Sequence, residues 1–220
     1  MTRLNKHIAR ILGISRREAD NLIDDGKVTV DGKVAQLGEQ PGEDADIVVD
    51  GQQIDKSTTT RLIALNKPVG YVCSRKQQGD SPTIYSLLPS DQQQLKTVGR
   101  LDRDSSGIIL LTNDGDFAHQ MTHPKFSKIK IYEVELDKPL QPLHQQMIYE
   151  HGIKLDDGVS KFLVTKLETG YKVVMKEGRN RQIRRTFDAL GYTVTKLHRT
   201  QFGNYLVDDL APKQWREIDS

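Results

Sequence analysis

The chain has 220 residues, of which 36% are hydrophobic and 28% are charged, and its formal net charge is +2. These values are typical of a globular protein with one sizeable core and a small appended module. No apolar run is long enough to span a bilayer, and the first residues lack the pattern of a secretory signal. The single cysteine, Cys73, excludes an internal disulfide, so we expect a plain buried thiol and a reducing cytoplasmic location.

Positive charge is concentrated in two segments of this nearly neutral chain. Residues 176–199 carry seven basic residues against two acidic ones. Residues 1–17 carry five basic residues and no acid. Two such segments predict a polyanionic partner. The basic residues of the first segment are Arg3, Lys6, Arg10, Arg16 and Arg17.

The N-terminal residues 1–55 predict a compact module of two helices and short strands. Apolar residues at helical spacing predict an amphipathic helix over residues 3–12. Ser15 and Glu18 have the spacing of a capping box, so a second helix begins there and ends at Gly26. Two Asp-Gly pairs further along the module predict tight hairpin turns.

Residues 56–60 are polar and predict a linker to a second domain, 61–220. The pattern of this domain predicts an α+β fold with a mainly antiparallel mixed sheet flanked by helices. Within residues 127–136 the apolar side chains change face, which predicts a bulge or twist beside Tyr132. Other predicted strands cover residues 61–74, 97–98, 108–112, 161–167, 171–176, 192–200 and 213–218, and predicted helices cover 81–89, 116–122 and 181–190.

An unusually polar loop, GRLDRDSSG at 99–107, lies between two of these strands. In a structural interpretation, Asp102 and Asp104 only cap backbone groups of a turn. In a functional interpretation, Arg100 and Arg103 keep Asp102 ionised, and the apolar strand that follows excludes water. Because a carboxylate in a dry site is a stronger nucleophile or base, Asp102 is a candidate catalytic residue.

A second candidate site is the basic run EGRNRQIRR at 177–185. Such runs are usually solvated helix faces. Helical spacing, however, turns Ile183 inward and spreads Arg181, Arg184 and Arg185 over the outer faces. Guanidinium groups suit carboxylate and phosphate, so one arginine could pair with a buried acid of the polar loop while others hold a nucleic-acid backbone.

A third candidate and two weaker patterns remain open. Tyr132, at the change of face, is either a core residue or an aromatic ring that stacks on a base. Asp102 and Asp104 could chelate Mg²⁺, although the neighbouring arginines disfavour a dication. His119 and His123 have a spacing that could place two metal ligands on one helix face, but no third ligand is evident.

The motifs together resemble one family. GRLDRDSSGIILLTNDGD at 99–116 resembles the signature of the bacterial ribosomal-RNA pseudouridine synthases of the RsuA type. ALNKPVGYVCS at 64–74 is similar to the family's opening catalytic motif, KIYEV at 130–134 to its tyrosine motif, and EGRNRQIRRTFDALGYTVTKLHRTQFG at 177–203 to its C-terminal motif. Residues 3–55 resemble an S4 RNA-binding domain. The order and spacing of the motifs make the resemblance specific.

The resemblance implies an enzyme that isomerises a uridine of folded ribosomal RNA to pseudouridine without a cofactor or a metal. The C1′–N1 bond breaks, the uracil turns, and C5 is joined to C1′. Asp102 would be the catalytic aspartate, and Tyr132 would stack on the flipped uracil and take the C5 proton. Arg184 would pair with the aspartate, and Ile183 would pack beside it.

The remaining expectations concern the substrate and its contacts. We expect a monomer that acts on ribosomal RNA or a partly assembled ribosomal subunit, with 23S slightly preferred over 16S RNA. The basic residues of the S4 module would bind RNA. The residues expected to bind the substrate are Arg100, Arg103, Lys67, Arg179, Arg181 and Arg185, together with Ile183.

Two alternatives belong to other functional classes. The first is a non-catalytic RNA-binding or ribosome-assembly protein that keeps the S4 module on an inactive synthase fold. The presence of Asp102, Tyr132 and Arg184 argues against it. The second is a metal-dependent phosphoryl-transfer enzyme that uses Asp102 and Asp104, which activity in EDTA would exclude.

Overall fold

The computed structural model describes residues 2–54 and 59–218, so residues 56–58 of the predicted linker lie outside the described part. No helix in the described part is long and apolar enough to cross a membrane. Its α-helices are α1 (Leu4–Ile11), α2 (Arg16–Asp24), α3 (Gly115–Thr122), α4 (Pro142–Glu150) and α5 (Gln182–Asp188). Its strands are β1 (Val28–Val30), β2 (Lys33–Val34), β3 (Ile47–Val49), β4 (Gln52–Gln53), β5 (Leu62–Lys67), β6 (Lys96–Val98), β7 (Ser106–Thr112), β8 (Lys130–Leu136), β9 (Ile153–Leu155), β10 (Gly158–Ser160), β11 (Leu163–Lys166), β12 (Tyr171–Met175), β13 (Val194–Phe202), β14 (Tyr205–Leu206) and β15 (Trp215–Glu217).

The N-terminal module packs α1 and α2 around a core shared with a small sheet of order β2-β1-β3-β4. The predicted capping box is confirmed: Ser15 Oγ accepts from Glu18 N at 3.1 Å, and Ser15 N donates to Glu18 Oε2 at 2.6 Å. Both Asp-Gly pairs form turns with positive φ, 48° at Asp31 and 49° at Asp50, as tight hairpins require.

The second region is built on a nine-stranded sheet with the main order β11-β12-β8-β13-β7-β5-β15. Its pairs are antiparallel except for β13 and β7, which run parallel. The expectation of a mixed, mainly antiparallel α+β fold is therefore confirmed. Alternate side chains of β5 and β7 enter two separate apolar clusters, one on each face of the sheet. Burial on both faces explains why these strands are continuously apolar.

The predicted irregularity beside Tyr132 exists, but the partner strand carries it. Tyr132 pairs with Arg199 and Ile131 with Gln201, so Thr200 of β13 is the extra residue of the bulge. The bulge turns the end of β13 beside Tyr132.

Two predicted helices differ from the observed ones. Residues 81–89 form only a short 3₁₀ turn, Ile84–Leu87. The helix predicted over 181–190 starts one residue later, because Arg181 is a left-handed N-cap with φ 47°. Helix α4 and the β9–β10 hairpin were not predicted.

Contacts join the N-terminal module to the second region through α1 and α3. Lys6 of α1 forms an ion pair with Asp116 at the start of α3. Lys96 Nζ donates to the carbonyl of Ile14 at 2.5 Å. These contacts place the basic helices beside the large sheet.

Candidate active site

A cavity of about 860 Å³ opens between the loop 99–107, the segment before α5, and one face of β8 and β13. Of the described residues predicted to take part in the site, Lys67, Arg184 and Arg185 do not line it. The lining residues that the following argument uses are Asp102, Lys130, Tyr132, Arg181, Ile183 and Arg199.

Two glycines with left-handed backbone give the Asp102 loop its tight path. φ is 71° at Gly99 and 107° at Gly107, values that glycine adopts without strain. A Cβ at Gly107 would lie 2.7 Å from the carbonyl carbon of Arg199, so no side chain fits between the two backbones. Arg199 is the residue opposite Gly107 in the parallel pair of β13 and β7. Asp102 is therefore held close to the strand that carries Arg199.

Lys67 anchors this loop from beneath and does not contact the cavity. Its side chain is fully buried, and Nζ donates to the carbonyl oxygens of Ser105 at 2.6 Å, Pro68 at 3.0 Å and Arg103 at 3.4 Å. Burial lowers the pKa of Lys67 to about 8. The role of Lys67 in substrate binding stays a prediction; in this structure its ammonium group is held by backbone carbonyls and does not line the cavity.

Arg181, and not Arg184, lies beside the Asp102 carboxylate in this structure. Arg181 Nη1 lies 3.9 Å from Asp102 Oδ2 and 3.9 Å from Asp104 Oδ2. Arg184 donates instead to the carbonyls of Asp104 and Val194, both at 2.8 Å. Both arginines belong to the described residues, and no ion pair joins Arg184 to the Asp102 carboxylate. The expected pair is corrected because the left-handed N-cap turns Arg181 toward the cavity, while Arg184 lies beneath the loop.

Further contacts hold the loop at its two ends. Cys73 is a buried thiol, as expected, and its Sγ lies 3.3 Å from the carbonyl and 3.4 Å from the amide N of Leu101. Burial raises the pKa of Cys73, so the thiol stays protonated. Ser106 Oγ lies 2.9 Å from His198 Nδ1 on β13. Ser105 Oγ is buried without a partner in the described structure, so only its backbone helps to hold the loop.

Tyr132 and Arg199 form the floor of the cavity. They are opposite residues of β8 and β13, and their exposed fractions are 7% and 2%. Arg199 Nε donates to the carbonyl of Ile108 at 2.9 Å, and the guanidinium lies 4.7 Å from the ring centroid of Phe202. Nη2 is buried without a partner among the described residues. The sequence analysis did not identify Arg199 as a site residue. The available signal was its position two residues after Leu197, which places both side chains on the same, inward-facing side of the strand.

Lys130 adds a second cation to the cavity, on its wall. Its Nζ lies 5.4 Å from the ring centroid of Phe202 and 3.4 Å from the carbonyl of Lys176. Burial, and then the nearby charge of Arg199, lower the pKa of Lys130 to about 8. Lys130 is therefore a titrating group on the cavity wall near neutral pH.

Arg179 and Arg185 bind acidic residues of the protein itself. Arg179 Nη1 donates to Asp157 Oδ1 at 2.8 Å. Arg185 donates to Asp156 Oδ1 at 2.5 Å and to Asp157 Oδ2 at 2.7 Å. Their guanidinium groups hold the β9–β10 turn against the start of α5, and their binding of the substrate stays a prediction. Arg179 still contributes to the cavity wall.

The outer edge of the cavity carries exposed basic residues. Arg100 and Arg103 are exposed and line the opening, and Arg103 Nη1 donates to Ser81 Oγ at 3.3 Å. In the N-terminal module Arg3, Arg16 and Arg17 are exposed. Lys6 and Arg10 also contact the second region, through Asp116 and Thr60.

Among the described residues, no three His, Cys, Asp or Glu side chains converge on a point that could hold a metal ion. The rings of His119 and His123, the pair considered as metal ligands, contact each other, with centroids 4.7 Å apart. His123 Nδ1 already accepts a hydrogen bond from Lys125 N at 3.2 Å, which leaves one ring nitrogen of His123 to face outward.

Comparison with known proteins places this geometry in a family. The model of the family described as RNA pseudouridylate synthase matches residues 61–189, and that of the S4 domain matches residues 2–47. An uncharacterized RNA pseudouridine synthase of Aquifex aeolicus is 34% identical over 98% of this chain and 92% of its own length. The ribosomal small subunit pseudouridine synthase A of Pasteurella multocida is 35% identical over 99% of this chain and 96% of its own.

Two further comparisons agree. The ribosomal large subunit pseudouridine synthase B of Escherichia coli K12 is 33% identical over 99% of this chain and 79% of its own length. A crystal structure of a pseudouridylate synthase superposes with a TM-score of 0.70 and 30% identity, and the match covers 100% of this chain and 96% of the other. The protein therefore belongs to the RNA pseudouridylate synthase family and carries an S4 domain in its N-terminal region.

Proposed function

We propose that this protein isomerises a uridine of ribosomal RNA to pseudouridine and that Asp102 is its catalytic residue. One observation carries the proposal: a partly exposed carboxylate, anchored by its loop, faces a cavity whose floor is an aromatic ring and a buried arginine. This arrangement can take in a single extruded base, with its sugar placed beside the carboxylate.

The chemistry assigns a role to each group. Asp102 stabilises C1′, as a covalent or ion-paired partner, while the C1′–N1 bond breaks and its electron pair stays on the uracil. The uracil turns while stacked on Tyr132, and C5 then bonds to C1′ as Asp102 leaves. The C5 proton departs through the Tyr132 hydroxyl to solvent, and N1 takes a proton from solvent. Arg181 places a positive charge 3.9 Å from the Asp102 carboxylate, and Arg184 holds the loop that carries it.

The proposed target is 23S ribosomal RNA. The basic run EGRNRQIRR favours this choice through its likeness to large-subunit enzymes, and the relatives named above include synthases of both subunits. A uridine in a loop or in partly folded RNA is favoured, because extruding a stacked base costs a few kcal/mol.

Tritium release tests the proposal. Unmodified 23S and 16S transcripts carrying tritium at uracil C5 are incubated in EDTA with the wild type or Asp102→Asn. Release by the wild type alone is the expected result, and faster release from the 23S transcript would support the proposed target. Asp209→Asn, at an exposed acid far along the chain from the loop, is a matched control that retains activity.

Each other outcome contradicts one part of the proposal. Persistent release by Asp102→Asn would show that another residue carries the reaction. Release that occurs only when a divalent metal ion replaces the EDTA would contradict the metal-free reaction. RNA binding without release from free or partly assembled transcripts would favour a non-catalytic RNA-binding protein.

A further inference from the structure

An exposed cluster of rings lies between the end of α3 and the start of β8. Phe126 makes T-shaped, edge-to-face contacts with His119 and His123: its ring centroid is 6.0 Å from His119 and 6.3 Å from His123, with interplanar angles of 89° and 76°. Lys125 Nζ lies 4.7 Å from the Phe126 centroid. We call these four residues the aromatic patch. The Phe126 side chain is not used by the core, since 39% of it is exposed.

The backbone presents this patch to solvent by a specific turn. Residues Pro124–Phe126 form one 3₁₀ turn, and Ser127 ends it in a left-handed conformation with φ 47°. His123 caps the turn through its Nδ1. Neither the capping contact nor the turn requires an exposed phenyl ring next to a lysine, so the fold alone does not account for Phe126.

The charge around the patch favours a polyanion. Residues 117–132 contain three lysines and two histidines and no acidic residue. Aromatic rings interleaved with lysines are the combination that binds single-stranded nucleic acid, because bases stack on the rings while cations contact the phosphates.

The patch borders the cavity, and the other end of the helix before it contacts the N-terminal module. Thr122 and Pro124, on either side of His123, line the cavity. At the other end of α3, Asp116 is paired with Lys6 of α1. An RNA strand that runs from the N-terminal module into the cavity therefore passes over the end of α3, where the patch lies.

We propose that the aromatic patch binds unpaired nucleotides that flank the target uridine, by stacking a base on Phe126 and placing phosphate near Lys125. This inference rests on the proposed function, since it assumes an RNA with one base extruded into the cavity. It assigns to the patch a role in substrate affinity and none in the chemical step.

The test compares Phe126→Ala with Phe126→Tyr, which keeps the ring, and with Tyr149→Ala. Tyr149 is a matched control, because it is an exposed aromatic residue on α4 with 55% exposure and does not line the cavity. Tritium release from 23S and 16S transcripts gives kcat and KM, and filter binding of the same transcripts gives Kd without catalysis.

We expect Phe126→Ala to raise KM and Kd about five- to tenfold, the lower range for a lost base–aromatic stack, and to change kcat less than twofold. Phe126→Tyr and Tyr149→Ala should match the wild type. An unchanged Kd for Phe126→Ala, or equal losses in Phe126→Tyr, would overturn the inference. So would a loss seen only with partly assembled subunits, which would assign the patch to a ribosomal protein.

The two proposals fail in different ways. If the wild type released no tritium but Phe126→Ala still weakened filter binding, the proposed reaction would be wrong and the patch would stand as an RNA contact. Wild-type activity with an unaffected Phe126→Ala variant would leave the reaction intact and remove the patch. Thermal unfolding of each variant checks that the exposed substitution leaves the fold unchanged.

Discussion

The floor and the outer edge of the cavity are built on different principles. The floor residues Tyr132 and Arg199 are buried and are directly paired on the neighbouring strands β8 and β13. The edge residues Arg100 and Arg103 are exposed on a loop. Buried, anchored groups suit steps that need fixed geometry, whereas exposed cations suit non-specific attraction of a phosphate backbone. We therefore expect changes to the floor and its anchors to lower kcat and changes at the edge to raise KM.

The largest effect should come from removing Lys67, the anchor of the Asp102 loop. Lys67→Met leaves the carbonyls of Pro68 and Ser105 without their donor. We expect the free energy of unfolding to fall by about 3 kcal/mol and kcat to fall at least 100-fold. Urea unfolding and tritium release measure the two effects. Lys154→Met, at an exposed lysine of β9, should change the free energy of unfolding by less than about 0.5 kcal/mol.

The contact between the loop and the floor can be broken separately. Gly107→Ala forces a Cβ against the backbone of Arg199, so we expect a loss of about 3 kcal/mol in the free energy of unfolding. Gly32→Ala is the matched control, because Gly32 also has a positive φ, 77°, but no atom within 4 Å of the added Cβ. Similar losses in both variants would show that backbone conformation alone, and not the close approach, matters at Gly107.

Arg199 tests whether the floor acts on the chemical step. Arg199→Met removes the buried guanidinium but keeps apolar volume beside Phe202. We expect kcat to fall at least tenfold, because the positive charge of the floor is lost, while KM changes less than threefold. A rise in KM with kcat unchanged would place Arg199 with the edge residues instead.

The lowered pKa of Lys130 predicts that RNA affinity depends on pH. Its pKa is lowered to about 8 by burial, so the ammonium is charged below pH 8 and becomes neutral as the pH rises through that value. RNA affinity should therefore fall several-fold between pH 7 and pH 9. Lys130→Met should bind more weakly at pH 7 and lack this step, as measured by filter binding. A residual step common to both proteins would report Lys67, whose pKa is also about 8.

The smallest effect belongs to the edge. Arg100→Ala should raise KM about threefold, leave kcat unchanged, and reduce the slope of log Kd against log salt by about one. Tritium release gives kcat and KM, and filter binding at several salt concentrations gives the slope. A kcat loss equal to that of Arg199→Met would contradict the division between floor and edge.

Local patterns accounted for the loop and the helix ends. The polar sequence between two glycines marked the Asp102 loop, because glycine spacing and a following apolar strand are both visible in the sequence. The Ser15–Glu18 capping box was predictable for the same reason, since its two hydrogen bonds join residues three apart.

Contacts between residues far apart in the sequence could not be predicted from such local patterns. The acids that bind Arg179 and Arg185 lie on the β9–β10 turn, more than twenty residues earlier. Lys67 was expected to bind the substrate, since only the fold shows that its ammonium group lies among the carbonyls of Pro68 and of Arg103 and Ser105 in the Asp102 loop. The approach of Arg181 to Asp102 depends on the left-handed backbone conformation of Arg181, which residues other than glycine rarely adopt.

The absence of a side chain at Gly107 has a consequence for the substrate. With the backbones of the loop and of β13 in direct contact, the protein has little room to reshape this part of the cavity around an incoming nucleotide. The distortion that brings a uridine to Asp102 must then come from the RNA, and the ease with which a given stretch of RNA bends and unstacks becomes part of how its target is chosen.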